Sequence, residues 1–194
     1  MDFRTAPAIT EALARRVVHG IFGYVRVPDE YYTAVTRWLE RRHHWTFRKE
    51  WMIYTSGVVP VYNCFFSSIR NNGCRVVTNP LIYEDGTYHI DFDDLERKVK
   101  EPGVKLLLLC NPHNPAGRVW TREELCRIGE ICLRNNVTDL SDEIHCELVF
   151  SGHTYMPYAS VSEEHSWNSV TCVLPSKSFN IAGLQIASII ARDE

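Results

Sequence analysis

The 194-residue sequence has no apolar run of membrane-spanning length, and its start, "MDFRTAPAITEALARR", has no basic segment leading into an apolar one. The expectation is a cytoplasmic protein that makes no use of a membrane. It also has no C-x-x-C pair. Seven cysteines, at positions 64, 74, 110, 126, 132, 146 and 172, are odd in number and sit mostly inside apolar segments. That pattern argues for reduced core thiols rather than disulfides, and no metal site is expected. A net charge of −3 gives no basic footprint, which argues against nucleic acid as a partner. Internal repeats and low-complexity linkers are absent as well. With 45% hydrophobic and 23% charged residues, the composition suits a globular core.

What is present alternates between helical and extended patterns. "APAITEALARRVVHG" places Ile9, Leu13 and Val17 on one helical face, with Pro7 near its start and Gly20 at its end. "PDEYYTAVTRWLERRHHW" does the same with Tyr31, Val35, Trp38 and Leu39, leaving His43 and His44 as a solvated helix end. These two helices define an N-terminal segment over residues 1–50. From residue 51 the expected order is a strand in "WMIYT", a helical piece in "NCFFSSIRNNG", a strand in "CRVVTNP" and a helix in "DFDDLERKVK". The apolar run from Lys105 to Cys110 is the next strand. Thr121 and Glu124 then have the spacing of a capping box, opening a helix to about Asn135. Strands follow in "VTDLS", "SVTCVL" and "LQIASII".

Strands joined by helices argue for an α/β fold with a mostly parallel sheet covered by helices, since parallel strands need crossover connections. Such sheets bind ligands beyond the carboxyl ends of their strands. Three polar clusters fall at that place: "NPHNPAG" after the first apolar run, "SDEIH" after "VTDL", and "PSKSFN" after "TCVL". The prolines of the first cluster fix φ and stiffen a turn that holds Asn114 at the sheet edge. Taken singly, Lys177 reads as a solvated charge, Asp142 as a turn or cap residue, and Tyr24 and Tyr62 as core aromatics.

Taken together, the motifs "FGYVRVPDEYY", "RRHHW", "GVVP", "NPHNPAGRVW", "SDEIHCEL" and "PSKSFNIAGLQ" resemble the fold-type I pyridoxal-phosphate enzymes of aminotransferase class I and II. Within that group they look like the branch of cystathionine β-lyases and cysteine-S-conjugate β-lyases. The resemblance implies residues 51–194 as a partial cofactor-binding large domain, pyridoxal 5'-phosphate as cofactor, a sulfur amino acid as substrate and a homodimer. It implies Lys177 as the Schiff-base lysine and catalytic base, with Ser176 beside it in the cofactor loop. Asp142 would pair with the pyridinium nitrogen, Asn114 and His145 would approach the phenolic oxygen, and Tyr62 would stack on the ring. Tyr24 would reach the phosphate held by the neighbouring subunit.

The sequence departs from that pattern in several places. "YTSGVVPVYNCFF" runs straight through where the family has a phosphate-binding helix and a further strand, so both are expected to be missing. Asp139 stands in a strand that should be buried, where an unpaired carboxylate is costly. Leu174 and Gln185 occupy positions that often carry a phosphate-binding hydroxyl and an arginine. The chain also stops at Glu194, ahead of the family's small domain and its substrate-binding arginine. A carbon–sulfur β-lyase is the first expectation; an aminotransferase, and an inactive truncated remnant or partner-binding regulator, are the others.

Overall fold

The computed structural model describes residues 3–24, 26–56 and 66–193. The N-terminal segment holds α1 (Pro7–His19) and α2 (Asp29–His43), followed by β1 (Met52–Thr55). After α3 (Phe66–Asn71) come β2 (Ile82–Glu84), β3 (Thr87–His89), α4 (Phe92–Val99) and β4 (Leu106–Cys110). The chain continues through α5 (Arg122–Arg134), β5 (Thr138–Asp142), α6 (Glu163–Trp167), β6 (Ser169–Val173) and β7 (Ala187–Ala191). Gly20 ends α1 in the left-handed conformation, at φ 73°, as glycine readily does. The Thr121 and Glu124 capping box forms in full at the start of α5.

Five strands make one sheet in the order β1-β7-β6-β5-β4. β4, β5 and β6 pair in parallel, while β7 runs antiparallel to both β6 and β1. Four of the five strands therefore point the same way, and β4, β5 and β6 bring their carboxyl ends to one edge.

The two faces differ. Met52, Leu109, Asp139, Ser141, Thr171, Val173, Ser188 and Ile190 alternate onto one face and are all buried. Leu95 and Val99 of α4 and Leu125, Ile128 and Ile131 of α5 cover it on one side, where Trp120 and Tyr158 complete the core. Leu39 of α2, with Trp45, covers it over Met52, Val173 and Ile190. α5 comes close to the short α6: a Cβ on Gly129 would sit 2.0 Å from the His165 ring, so only glycine fits there. On the opposite face, Ile53 is 63% and Leu106 52% exposed, Leu108, Leu140, Val170 and Ile189 are half-buried, and Cys172 and Ala187 are buried in a small cluster with Ile144 and Leu174. Among the described residues the packed helices lie on one face, whereas the strand–helix alternation leads one to expect two covered faces.

The strand expected in "CRVVTNP" does not form. Among the described residues β4 has β5 as its one neighbour, and an extended segment without a paired strand has no ladder to join. The Asn79 amide instead donates to the Asp91 carbonyl at 3.0 Å and to Asp94 Oδ2 at 2.9 Å, fastening the segment to the start of α4. The hairpin of β2 and β3 is a feature the sequence reading passed over; its turn places Asp85 and Gly86 at φ 49° and 78°. The expected junction at Val58, Val59 and Val61 lies outside the described residues.

A half-covered sheet has a measurable consequence. Its apolar face should bind a hydrophobic dye such as ANS in the native state, and the chain should self-associate with rising concentration. Sedimentation velocity showing a dye-silent monomer across the concentration range would contradict this.

Candidate active site

The site begins where β4, β5 and β6 end. The backbone N–H of Asn111 donates to the Asp142 carbonyl and that of Glu143 to the Cys172 carbonyl, both at 2.9 Å, which ties the three strand ends together. "NPHNPAG" then turns back on itself: Gly117 N–H donates to the His113 carbonyl at 2.8 Å and His113 N–H to the Arg118 carbonyl at 2.7 Å. The Trp120 indole closes the turn by donating to the Cys110 carbonyl at 2.9 Å. Asn114 is thereby presented to solvent at the tip. It shares the wall of a cleft of about 370 Å³ with His113, Arg118, His145 and Phe150.

Asp142 is buried, 3% exposed, with one oxygen accepting from the Ile144 backbone at 3.2 Å. Burial pushes its carboxyl up to about 6, against the pull of the Ile144 N–H and of the Lys177 charge. His145 is lowered, first by burial and then by the same Lys177 charge. Lys177 is half-buried in the turn after β6. That turn is closed by Phe179 N–H to the Pro175 carbonyl, at 2.9 Å, and Ile181 N–H to the Ser176 carbonyl, at 3.0 Å. Ser176 is buried and its hydroxyl points to the Ile186 carbonyl at 3.5 Å. Asn114, Asp142, His145, Ser176 and Lys177 thus occupy one sheet edge. Tyr24 is fully exposed, and Tyr62 lies outside the described residues.

Beneath this edge is a buried acid that sequence reasoning missed. Glu143 is fully buried and accepts hydrogen bonds from Ser141 Oγ and the Tyr158 N–H, each at 2.8 Å, and from the Tyr155 hydroxyl. Burial pushes it up to about 7 although these donors pull it down. An acid following a motif aspartate reads as one more solvated charge, so the sequence holds no signal for this role. His43 was expected to be solvated. Its side chain is 8% exposed and pairs with Glu147 at 2.6 Å, because α2 ends against the segment that follows β5.

A mixed sheet with polar turns gathered at its parallel carboxyl ends is the large-domain arrangement of the pyridoxal-phosphate-dependent transferase fold. The family profile described as aminotransferase class I and II matches residues 58–194, and the chain belongs to that family. It is 45% identical to cystathionine β-lyase PatB of Bacillus subtilis over all of this chain and 55% of that protein. It is 33% identical to protein MalY of Escherichia coli over 95% of this chain and 52% of that protein. Among solved structures, the PLP-bound C-S lyase of Staphylococcus hominis superposes with a TM-score of 0.94 at 36% identity, covering 100% of this chain and 55% of that one. The chain spans about half the length of the curated relatives it matches. Among the described residues no helix is long and apolar enough to cross a membrane.

Proposed function

We propose that the chain is part of a pyridoxal-phosphate-dependent carbon–sulfur β-lyase acting on cystathionine or cysteine S-conjugates. The observation that carries this reading is the buried Asp142 carboxyl facing the Lys177 charge, on the edge that also holds Asn114 and His145. An amine, a carboxyl, an amide and an imidazole are the donor set that a pyridine ring with an aldehyde, a ring nitrogen and a phenolic oxygen requires. The residues present therefore fit the ring of the cofactor. The likeness to PatB and to the C-S lyase directs the reading to the lyase branch.

Lys177 would hold the cofactor and then take the proton from the substrate α-carbon. Asp142, ionised, would keep the ring nitrogen protonated, while Asn114 and His145 would hold the phenolic oxygen. When bound, the cofactor supplies an electron sink for the charge left at the α-carbon. Loss of the proton from Cα and of the thiolate from Cβ, followed by addition of water, yields thiol, pyruvate and ammonia. Ser176 would support the cofactor loop, and Tyr62 would lie on the ring face. Residues 1–50 would form a helical segment ahead of the large-domain part, 51–194.

A cytoplasmic homodimer accords with two further features. Cys74, Cys110, Cys126, Cys132 and Cys146 are free thiols. α1 buries none of its residues and is followed by exposed Ile21, Phe22 and Tyr24, so the N-terminal arm has an apolar side for a second copy to cover.

With pyridoxal phosphate and cystathionine, and no added keto acid, the chain should release pyruvate and free thiol in equal amounts. A lactate dehydrogenase assay and a thiol reagent read the two products. Amino transfer only on addition of a keto acid would move the chain to the aminotransferases. A folded chain that captures cofactor but gives neither product would leave a binding role.

A further inference from the structure

A second cluster lies where the last turn of α2 meets the segment after β5. His43 Nε2 is 2.6 Å from Glu147 Oε1, although the two residues are 104 positions apart. One ligand atom each from His43, Cys146 and Glu147 falls within 4.8 Å of the others. The His43 and Glu147 side chains are 8% and 9% exposed, and Cys146 is buried. We propose that this nitrogen, sulfur and oxygen set binds one divalent ion of the zinc type.

The geometry suits such an ion. Zinc bonds of about 2.0–2.3 Å in tetrahedral geometry put ligand atoms roughly 3.3–3.8 Å apart. The three atoms lie within 4.8 Å of one another, and His43 Nε2 and Glu147 Oε1 would part from 2.6 Å as the ion enters. A thiolate and a carboxylate with a neutral imidazole would offset the charge of a divalent cation, while the Arg42 guanidinium on Glu147 adds one positive charge beside it. The ligands are already oriented from behind. Trp38 Nε1 donates to Glu147 Oε1 at 2.7 Å, and the Arg42 guanidinium holds Oε2 at 3.1–3.2 Å. The Tyr155 ring stands edge-on to the His43 imidazole, with centroids 4.8 Å apart. Outer contacts of this kind fix ligand orientation in metal sites.

An ion pair alone accounts for His43 and Glu147, but it has no use for the buried thiol beside them. A bound ion would fasten α2 to the segment that begins at Asp142 and His145. Cys146 reads from sequence as a core thiol because the spacing of its partners is set by the fold alone.

The test uses the full reduced chain and Co²⁺ as probe, without pyridoxal phosphate. One equivalent should produce a thiolate-to-cobalt charge-transfer band and tetrahedral visible bands, which one equivalent of Zn²⁺ then bleaches. Cys146→Ser should abolish the charge-transfer band, and His43→Gln and Glu147→Gln should each weaken binding at least tenfold. Cys74→Ser, at an exposed thiol, should leave the band unchanged. Circular dichroism checks that each variant folds; if Cys146→Ser does not, the other two, which keep the buried thiol, carry the test. Absence of a stoichiometric thiolate band overturns the proposal, and so does a band that survives in folded Cys146→Ser or in both His43→Gln and Glu147→Gln.

Discussion

Borohydride reduction of the chain with pyridoxal phosphate should leave a pyridoxyl group on Lys177, well above the level on any other lysine. Lys49, Lys98 and Lys100 each lie within salt-bridge distance of a carboxylate, those of Asp29, Asp94 and Glu96, and Lys105 is exposed at the start of β4. Lys177 is half-buried at the sheet edge, where its charge acts on Asp142 and His145. A covalent link also survives where non-covalent affinity is low, which matters if the phosphate lacks the helix N-terminus that the family offers it. Lys177→Ala should remove essentially all specific adduct. Asp142→Ala should keep the reactive amine but shorten retention before reduction, because the partner of the ring nitrogen is gone. Peptide mass spectrometry decides: an adduct on a different lysine, or one spread evenly over several, refutes the assignment.

Much of this architecture was legible because it is encoded locally. Thr121 and Glu124 meet within one turn of helix, so their spacing alone announces α5. The apolar runs ending at Cys110, Asp142 and Val173 each break into a polar turn, and that sequence of events places three strand ends on one edge. Features that depend on a distant partner were hidden. "CRVVTNP" has the composition of a strand, but a strand exists only where another strand offers its edge. His43 reads as solvated and Glu143 drew no reading at all, yet both are buried, by contacts with Glu147 and Tyr155 that the chain supplies 104 and 12 positions away. Asn114, Asp142 and Lys177 were singled out through the motif frame and fall on one sheet edge, whereas the acid beneath them needed coordinates.

Asp139→Val should make the protein more stable, by about 1–3 kcal/mol, the range expected when a buried polar group without partners is removed. Asp139 is 0% exposed on the covered face of β5, between Leu107 of β4 and Ser169 of β6. Among the described residues neither carboxyl oxygen has a hydrogen-bond partner; the nearby Tyr158 hydroxyl eases the cost without reaching hydrogen-bond geometry. Burial, and then the Glu143 charge, raise the Asp139 carboxyl well above its ordinary 3.8. The folded chain therefore holds a proton that the unfolded chain releases. This group's contribution is most favourable below pH 3.8 and is lost as pH rises from there toward the folded value, at up to about 1.4 kcal/mol per pH unit. Glu143 and Asp142, pushed up to about 7 and about 6, act with the same sign. The difference between variant and parent is thus the informative quantity, and it should grow between pH 5 and pH 8. Valine is close to aspartate in volume, so the site is neither overfilled nor emptied. Asp139→Asn should remove this group's share of the pH dependence while keeping an unpartnered amide, and so should recover only part of the gain. Urea unfolding of all three proteins at the two pH values measures this. A variant less stable than the parent at pH 8, or a gap that does not change with pH, would defeat the argument.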